Sequence, residues 1–275
     1  MAIKVSGTSV INDSRRLENI ASVDSTTAAS MTAAGVGGTP SGTNLFDAPV
    51  KGDGSGGLRF AGYNLGGGAQ YYTGSGTYTV PSGTSYIKAF VTGGGGGGSG
   101  AAPYALAWFN AGGGGASSTI YGFIAVSAGD SISYSVGAKG NKGSGQNSGT
   151  TGGTSTLTKG STTLTATGGV GSTGGQYPSS VGGAAGTASS TGSLLQQQVI
   201  SAGTAGSAPP GNAFTGGSGG TSYYGAGAVG VLNANADNAV NYGAGGAGGA
   251  SNATSASGSD GASGAVIIEN WSAIG

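Results

Sequence analysis

The stretch Gly93-Gly-Gly-Gly-Gly-Gly98, with its shorter counterpart Gly112-Gly-Gly-Gly115, decides how this chain folds. Glycine runs usually mark flexible linkers, because glycine loses the most backbone freedom on folding. Here the runs lie between two strand-like segments, residues 85–92 and residues 118–126. A flexible linker does not fit between two core strands of one domain, so the glycine runs are predicted to form an ordered element.

Composition narrows the class of protein. The chain has 275 residues, of which 65 are glycine, and its nine basic and nine acidic side chains give zero formal net charge. Such a glycine content is typical of low-complexity or disordered chains, but disorder also favours high net charge and few aromatic residues. With 12 tyrosines, 6 phenylalanines and 2 tryptophans, the composition indicates an ordered protein with a modest core.

The same composition disfavours several functions. Zero net charge does not supply the cationic surface that phosphate backbones require, so no nucleic-acid partner is expected. No apolar run reaches membrane-spanning length, so no membrane insertion is expected, and the N-terminus lacks the apolar core of a signal peptide. With no histidine and no cysteine, no enzyme, catalytic residue, metal site or cofactor is expected. The scattered carboxylates leave open a glycosidase-like pair assembled in space.

Charge and composition divide the chain into three regions. Ten of the 18 charged residues lie in residues 1–60. Residues 1–36 are predicted to be a separate N-terminal segment, residues 37–69 a connector, and residues 70–275 a glycine-rich domain of β-strands and polyglycine II helices.

The N-terminal segment contains few apolar residues that could form a core. Short strands are predicted around Ile3 to Val5 and at Val10 and Ile11, with a turn at residues 12–14 and a short helix over residues 24–34. A segment this small cannot form a core alone. It is therefore a frayed arm, or it orders when the chain self-associates or docks on a larger body.

From Gln70 onward, β-branched and aromatic residues recur at strand spacing. Three hairpins are predicted: residues 77–80 with 86–92, residues 118–126 with 131–136, and residues 155–158 with 162–167. A closing strand is predicted over residues 265–271. Roughly eight strands of this kind predict an all-β fold with an antiparallel sandwich or jelly-roll-like base.

A period of three runs through the glycine segments. Side chains return at every third position in five rows, which are Thr167/Val170/Thr173, Val181/Ala184/Thr187, Ser201/Thr204/Ser207, Thr215/Ser218/Thr221 and Ala244/Ala247/Ala250. Neither an α-helix nor a β-strand repeats at three, whereas a polyproline II helix does. That helix makes no internal hydrogen bonds, so its backbone must bond to neighbouring helices, which approach only where side chains are missing. The sequence predicts a packed polyglycine II bundle with residues 93–98 in its middle, spanning about 19 Å.

Two parts of the sequence resemble phage proteins. Residues 77–98, which read TYTVPSGTSYIKAFVTGGGGGG, resemble the opening of the glycine-rich domain of phage tail-fibre and adhesin proteins, and residues 264–270, GAVIIEN, resemble its last strand. Residues 7–20, GTSVINDSRRLENI, resemble a short element recurrent in phage tail fibres. In tip adhesins of this group, polyglycine helices stack in a sandwich and loops at the helix ends contact the host receptor.

The resemblance implies a virion tail-fibre or tail-tip adhesin, made in the host cytoplasm without a signal peptide. Residues 1–36 would bind other tail proteins, and the partner at the free end would be a host cell-surface glycan or outer-surface protein. Tip adhesins usually follow a separate attachment domain, whereas this chain has only a short N-terminal arm. A short homotrimeric fibre therefore fits as well as a monomeric tip.

The candidate receptor-binding residues lie where aromatic side chains interrupt the period of three. They are Tyr104, Trp108, Phe109, Tyr177, Phe214, Tyr223, Tyr224 and Tyr242. A polyglycine bundle has no interior room for such rings, so they form an exposed low-charge patch or pack against the bundle or its base. Residues 196–198, three glutamines, are predicted to be a loop, either for hydrogen-bonded recognition or simply solvated.

Two other functions stay open from the sequence. One is a purely structural tail or capsid decoration without receptor contact. The other is an ice-binding protein, which needs a flat, regular face such as the rows Thr215/Ser218/Thr221 and Ala244/Ala247/Ala250 offer.

Overall fold

A computed structural model describes residues 3–5, 8–11, 50–52, 58–60, 63–102, 109–174, 180–201, 203–207, 215–231, 235–251 and 255–273. The chain divides into two compact units, residues 1–64 with 274–275, and residues 65–273. The described residues contain β-strands and no α-helix, which confirms the all-β class. The helix predicted over residues 24–34 and the turn before it lie outside the described residues.

The first unit contains short antiparallel pairings. Strands β1 (Ile3–Val5) and β2 (Thr8–Ile11) pair with each other, which confirms the strands predicted at the N-terminus. Strand β3 (Val50–Gly52) pairs with β4 (Leu58–Phe60), and β4 pairs with the first residues of β5 (Tyr63–Tyr72).

The second unit is built on two antiparallel sheets packed face to face, as predicted. Besides β5, its strands are β6 (Gly76–Thr79), β7 (Tyr86–Thr92), β9 (Thr119–Ala125), β10 (Ser131–Ser135), β11 (Ser155–Lys159), β12 (Thr162–Ala166), β13 (Ala188–Thr191), β14 (Gln196–Ser201) and β16 (Ala265–Ala273). The smaller sheet has the order β13-β12-β11-β10-β6, and the larger sheet contains β14-β9-β7-β16-β5. A separate small pairing joins β8 (Phe109–Asn110) to β15 (Ala250–Ser251).

Strand alternation places the apolar side chains between the sheets. In β7, Ile87, Ala89 and Val91 are fully buried, while the side chains between them face the opposite side of the sheet. The core is completed by Tyr78, Val80, Ile120, Ile124, Val126, Ile132, Leu157, Leu164, Ala166, Val266 and Ile268. One polar contact lies within this core, where the Tyr78 hydroxyl donates to the Asn270 side-chain oxygen of the other sheet.

Two of the three predicted hairpins are wrong, although their strands exist. Strand β6 pairs with β10 rather than β7, and β9 pairs with β7 and β14 rather than β10. The turns at residues 81–83 and 128–130 therefore carry the chain from one sheet to the other. They lie side by side, since Val80 N–H donates to Asp130 O at 2.9 Å and Gly129 N–H donates to Val80 O at 2.8 Å. The third hairpin, β11 with β12 around Gly160, is confirmed.

The three glutamines at residues 196–198 are not in a loop. They open β14, which pairs antiparallel with β9, and Gln196 lies opposite Phe123. The run was misjudged because glutamine has no strong strand preference, whereas the pairing is made by backbone groups and needs none.

Residues 93–101 form an extended segment, called helix A here, whose backbone bonds rotate among its neighbours. Gly94, Gly95 and Gly96 donate to Gly153 O, Ala262 O and Gly115 O at 2.8–2.9 Å, and Gly97, Gly98 and Ser99 repeat the cycle with Thr150 O, Ser259 O and Gly112 O. The carbonyls of Gly94, Gly95 and Gly96 accept from Gly169, Gly140 and Gly246. Three residues per turn with bonds only between segments is polyglycine II geometry, which confirms the predicted bundle.

Helix A is surrounded by six segments, as the middle of such a bundle requires. They are residues 111–118, 137–143, 147–153, 167–174, 243–250 and 256–262. Residues 111–118, called helix B here, bond in the same way to helix A, to residues 167–174, 181–187, 203–207, 215–221 and 243–250. The chain therefore has two central helices, and the second contains the shorter glycine run.

Absence of side chains allows these helices to approach one another. A Cβ placed on Gly94, Gly95 or Gly96 would lie 2.0, 1.9 or 2.3 Å from a carbonyl oxygen of a different neighbouring segment. The contact atoms are all backbone, so no rotamer change can make room. A Cβ at any position of residues 93–98 would meet backbone at 1.9–2.6 Å, which explains an unbroken run of six glycines.

The rows of larger side chains point mostly outward. Rows Val181/Ala184/Thr187 and Thr215/Ser218/Thr221 are exposed, whereas Ala244, Ala247 and Ala250 are fully buried. The alanine row is therefore not the exposed face that an ice-binding surface would need. It is covered because residues 228–231 and 235–239 pack over it, with Ala228 and Ala236 against Ala247.

Hydroxyl side chains satisfy backbone donors on the outer helices. Thr187, Ser218 and Thr221 each donate a backbone N–H to a hydroxyl of the adjacent helix, on Thr167, Ser207 and Thr204, at 2.6–2.7 Å. An outer helix has fewer neighbouring carbonyls than a central one, so serine and threonine replace the missing acceptors. This accounts for the choice of hydroxyl residues in the outer rows.

Most sandwich strands continue directly into the bundle. Helix A follows β7 and helix B precedes β9, so the bundle has a near end at the sandwich and a far end at Ala101 and Ala111. Six chain connections join segments at the far end, between residues 101 and 111, 143 and 147, 174 and 180, 207 and 215, 231 and 235, and 250 and 256. Nothing helical in the described part of the chain is long and apolar enough to cross a bilayer.

Candidate functional site

Two short connections at the near end carry tyrosines. Residues 221–226 and 239–244 each reverse the chain between neighbouring bundle segments. In the first connection, Ser222 and Gly225 exchange backbone hydrogen bonds of 3.0 and 3.3 Å. The two connections are clamped together because Asn241 Nδ2 donates to Ala226 O at 3.0 Å.

Glycine is required at two positions of this clamp. Gly225 has φ +148, and a Cβ there would lie 2.6 Å from Asn241 Nδ2. Gly243 has φ +72, and a Cβ there would lie 2.2 Å from Ser117 Oγ. Residues with a Cβ rarely adopt these backbone conformations, so glycine at both positions allows the connections to take this shape.

Four tyrosines meet around this clamp and form what we call the tyrosine patch: Tyr71, Tyr223, Tyr224 and Tyr242. The Tyr224 ring makes edge-on contacts with Tyr223 and Tyr242, at 5.1 and 5.8 Å between ring centres. Tyr71, from β5, is close enough for its phenol to act electrostatically on that of Tyr224. Edge-on contacts of this kind are favourable for aromatic rings, so the patch stabilises itself.

The members of the patch differ in exposure. Tyr71 is 65% exposed and Tyr223 is 47% exposed, whereas Tyr242 and Tyr224 are partly buried. Burial raises the pKa of Tyr224 to about 12, against a smaller opposing effect of its hydrogen bond to the Thr92 side chain, and the neighbouring phenols raise it further. Tyr224 is therefore a protonated anchor that contacts the exposed ring of Tyr223 and the partly buried ring of Tyr242.

Replacement of Tyr224 by phenylalanine is expected to remove a titration near pH 12. The folded-state pKa of about 12 lies above the ordinary value of 10.0, so the fold favours the protonated phenol. The stability that this adds is fully present below pH 10 and is lost as the pH rises through 12. The difference in phenolate absorbance between wild type and Tyr224→Phe should have its midpoint at about 12.

The exposed neighbour gives the control for this titration. Tyr223→Phe should leave the component near pH 12 in place. A wild-type minus Tyr224→Phe difference curve with its midpoint at 10 would contradict the buried, hydrogen-bonded position of Tyr224.

The structure brings together three of the eight candidate residues found in the sequence. Tyr223, Tyr224 and Tyr242 share the patch at the near end. Phe109 opens β8 at the far end, opposite Ser251. Tyr104, Trp108, Tyr177 and Phe214 lie outside the described residues.

Tyr71 is the member of the patch that sequence reasoning missed. It was not among the aromatic residues that interrupt the period of three, because it lies before the glycine segments. In β5 the two side chains point to opposite sides, and Tyr72 packs against Tyr134 at 4.5 Å between ring centres while Tyr71 faces solvent. Tyr72 points inward, so strand alternation turns the preceding Tyr71 outward, and this was the one signal that would have found it.

A second aromatic cluster lies on the outer side of the larger sheet. Phe90, Tyr121 and Phe123 surround Lys88, whose Nζ lies 4.6, 4.9 and 5.8 Å from their ring centres. Trp271 contacts Phe123 at 6.1 Å. The rings of this cluster are partly buried and already hold a cation from the same chain.

Two described carboxylates pair with lysines rather than with each other. Asp260 contacts Lys139 Nζ at 2.6 Å and accepts from Lys142 N–H at 2.8 Å. Partial burial raises the pKa of Asp260, but these lysine contacts outweigh it and the net pKa is lowered. Asp130 contacts Lys159 at 3.0 Å. Within the described ranges, no group of three acidic or other metal-binding side chains comes together.

The comparisons with known proteins bear on the second unit. A family model described as a glycine-rich domain matches residues 70–271. The match begins in β5 and ends in β16, and so contains the sandwich, the bundle and all four tyrosines of the patch. A comparison with curated proteins found no match.

Proposed function

The chain belongs to this glycine-rich domain family, and from that premise we propose that it is a subunit of a phage tail fibre or tail tip that binds a receptor on the host cell. Residues 1–36 attach it to other tail proteins and hold three copies together. The partner at the free end is a host-surface glycan or outer-surface protein. The chain acts in the virion as a binding protein rather than as an enzyme.

The observation that carries the proposal is the gathering of six chain connections at the far end of the bundle. A recognition surface made of connections needs a support that does not deform. Helices A and B supply it, because their backbone groups bond to six neighbours each. Connections held by a rigid support lose little freedom when a ligand binds, which raises affinity.

The connection between helices A and B is the first candidate for receptor contact. It contains Tyr104 and Trp108, and it is flanked by paired backbone on both sides. Ala101 bridges Ala256, and Asn110 lies opposite Ala250. Residues 103–108 can therefore be exchanged without removing a described hydrogen bond of the bundle.

Replacing residues 103–108 by a Gly-Ser linker of equal length is expected to reduce virion adsorption to host cells by at least tenfold. The thermal unfolding midpoint of the purified chain should stay unchanged, because the flanking pairings remain. Adsorption is measured as the rate at which free virions carrying the variant disappear from a suspension of host cells.

The control is Leu195→Ala, a 62% exposed position in the sandwich rather than at the far end, which should adsorb like wild type. Normal adsorption of the linker variant, with normal incorporation into virions, would contradict the proposed receptor contact. That result would instead support a structural tail or capsid decoration.

A further inference from the structure

We propose that the tyrosine patch at the near end is a second binding site, which takes a neutral oligosaccharide of hexose units. This rests on the proposed adhesin function and deepens it, because it names a ligand class for a surface remote from the far-end connections. It rests on Tyr71, Tyr223, Tyr224 and Tyr242 and on the clamp that holds them.

The shape of the patch suits sugar rings. Tyr71 and Tyr223 are 65% and 47% exposed, and the Tyr223 ring rests against the more buried Tyr224. An aromatic face stacks on the C–H face of a pyranose ring, and the phenol hydroxyl can bond a sugar hydroxyl at the same time.

The polar groups of the patch favour a neutral ligand. The groups that act on the Tyr224 phenol are the Thr92 hydroxyl and three other phenols, with no carboxylate or basic group among them. Asn241 adds an amide. Hydroxyl and amide groups match the donors and acceptors of a hexose, whereas a sialylated or sulfated glycan would need a cation to balance its charge.

The patch is also preorganised. Ser222, Gly225 and Asn241 fix the two connections through backbone and amide hydrogen bonds. Edge-on contacts restrain the Tyr224 ring on both sides. Binding therefore costs little side-chain ordering, which matters for saccharides because each contact is weak.

The outer aromatic cluster of the larger sheet does not offer the same site. Its rings are already occupied by Lys88, and none of them is among the strongly exposed side chains of the described residues. The tyrosine patch is the better candidate because Tyr71 and Tyr223 are 65% and 47% exposed.

The test uses the purified full chain with lactose, maltotriose and mannotriose as neutral probes and sialyllactose as the anionic partner of lactose. Calorimetry or saturation-transfer NMR should detect binding of at least one neutral probe. Lactose, if bound, should bind at least as well as sialyllactose. Tyr71→Ala and Tyr223→Ala should each weaken binding by tenfold or more without changing the thermal midpoint.

Two further variants keep the test decisive. Val181→Ala, at a 59% exposed position at the far end, should bind like wild type. If either alanine variant proves unstable, Tyr224→Phe serves as a further variant. It keeps the central ring and should therefore retain stacking. The proposal is overturned if no neutral probe binds, if the patch variants bind normally, or if the patch variants change only the oligomeric state.

These outcomes are separable from the failure of the proposed function. Saccharide binding is measured without virions, and the variants leave residues 103–108 intact. Loss of adsorption in the far-end linker variant with no saccharide binding by wild type would retain the receptor role and reject the second site.

Discussion

Gly95→Ala in helix A is expected to destabilise the chain by more than about 4 kcal/mol, enough to prevent it from reaching the folded state. The new Cβ would lie 1.9 Å from Ala244 O and 2.5 Å from the carbonyl carbon of the same residue. Both atoms belong to a backbone that is itself bonded to other segments, so relief would require helices to separate. Thermal unfolding followed by circular dichroism, and the yield of folded protein, measure the effect.

Gly98→Ala repeats the test one turn along, where a Cβ would lie 1.9 Å from Ala247 O. The matched control is Gly74→Ala, because a Cβ on Gly74 has no atom within 4 Å and its φ is not positive. The control should keep the wild-type midpoint within experimental error. A Gly95→Ala protein as stable as Gly74→Ala would show that helix A is not packed as described.

Leu164→Ala in the sandwich is expected to cost about 2–5 kcal/mol, the usual range for a fully buried leucine. Leu164 lies in β12 with no exposed surface, and it reaches across to Gly122 of β9 in the other sheet. The substitution leaves a cavity because backbone pairing holds both strands in place. Urea unfolding of the purified chain gives the free energy of unfolding.

The control for this cavity is Leu195→Ala, at a position that is 62% exposed, which should change the free energy of unfolding by less than about 0.5 kcal/mol. Strand β7 continues directly into helix A, and helix B continues directly into strand β9. Leu164→Ala should therefore shift sandwich and bundle in one transition. Separate transitions in wild type would show that the two parts unfold independently.

The bundle could be predicted because its signal is local and repeats. Glycine at consecutive positions in residues 93–98 and side chains at every third position in residues 181–187 are both visible in the sequence. The rise and period of the polyproline II helix follow from backbone geometry alone. Its need for neighbours then follows from hydrogen bonding, and the bonds of Gly94 to Gly98 have the predicted period.

Strand pairing could not be predicted in the same way. The turn residues at 81–83 and 128–130 are favourable for chain reversal, but they do not specify whether the chain returns to the same sheet. That choice depends on contacts such as β7 with β16, which are far apart in sequence. Alternation within β6 and β7 was visible, whereas the identity of their partners was not.

The candidate site shows the same division. Aromatic interruptions of the glycine pattern identified Tyr223, Tyr224 and Tyr242, because a polyglycine bundle excludes large rings from its interior. Their meeting with Tyr71, which comes from a different part of the chain, depends on where β5 lies beside β16. The alanine row Ala244/Ala247/Ala250 was visible in the sequence, but its burial was not predicted. Its period of three does not identify the segment that covers it.

By itself the sequence determined that the six-glycine run is a structural element. It also determined that the helices of the bundle repeat every three residues and that the strands of the sandwich are amphipathic. These properties depend on the backbone conformations and side-chain sizes of neighbouring residues. The tertiary structure alone decided which six segments surround helix A, which strands cross between the sheets and which tyrosines share a surface. Those outcomes depend on packing between distant segments, which the chain settles only when all of them are in place.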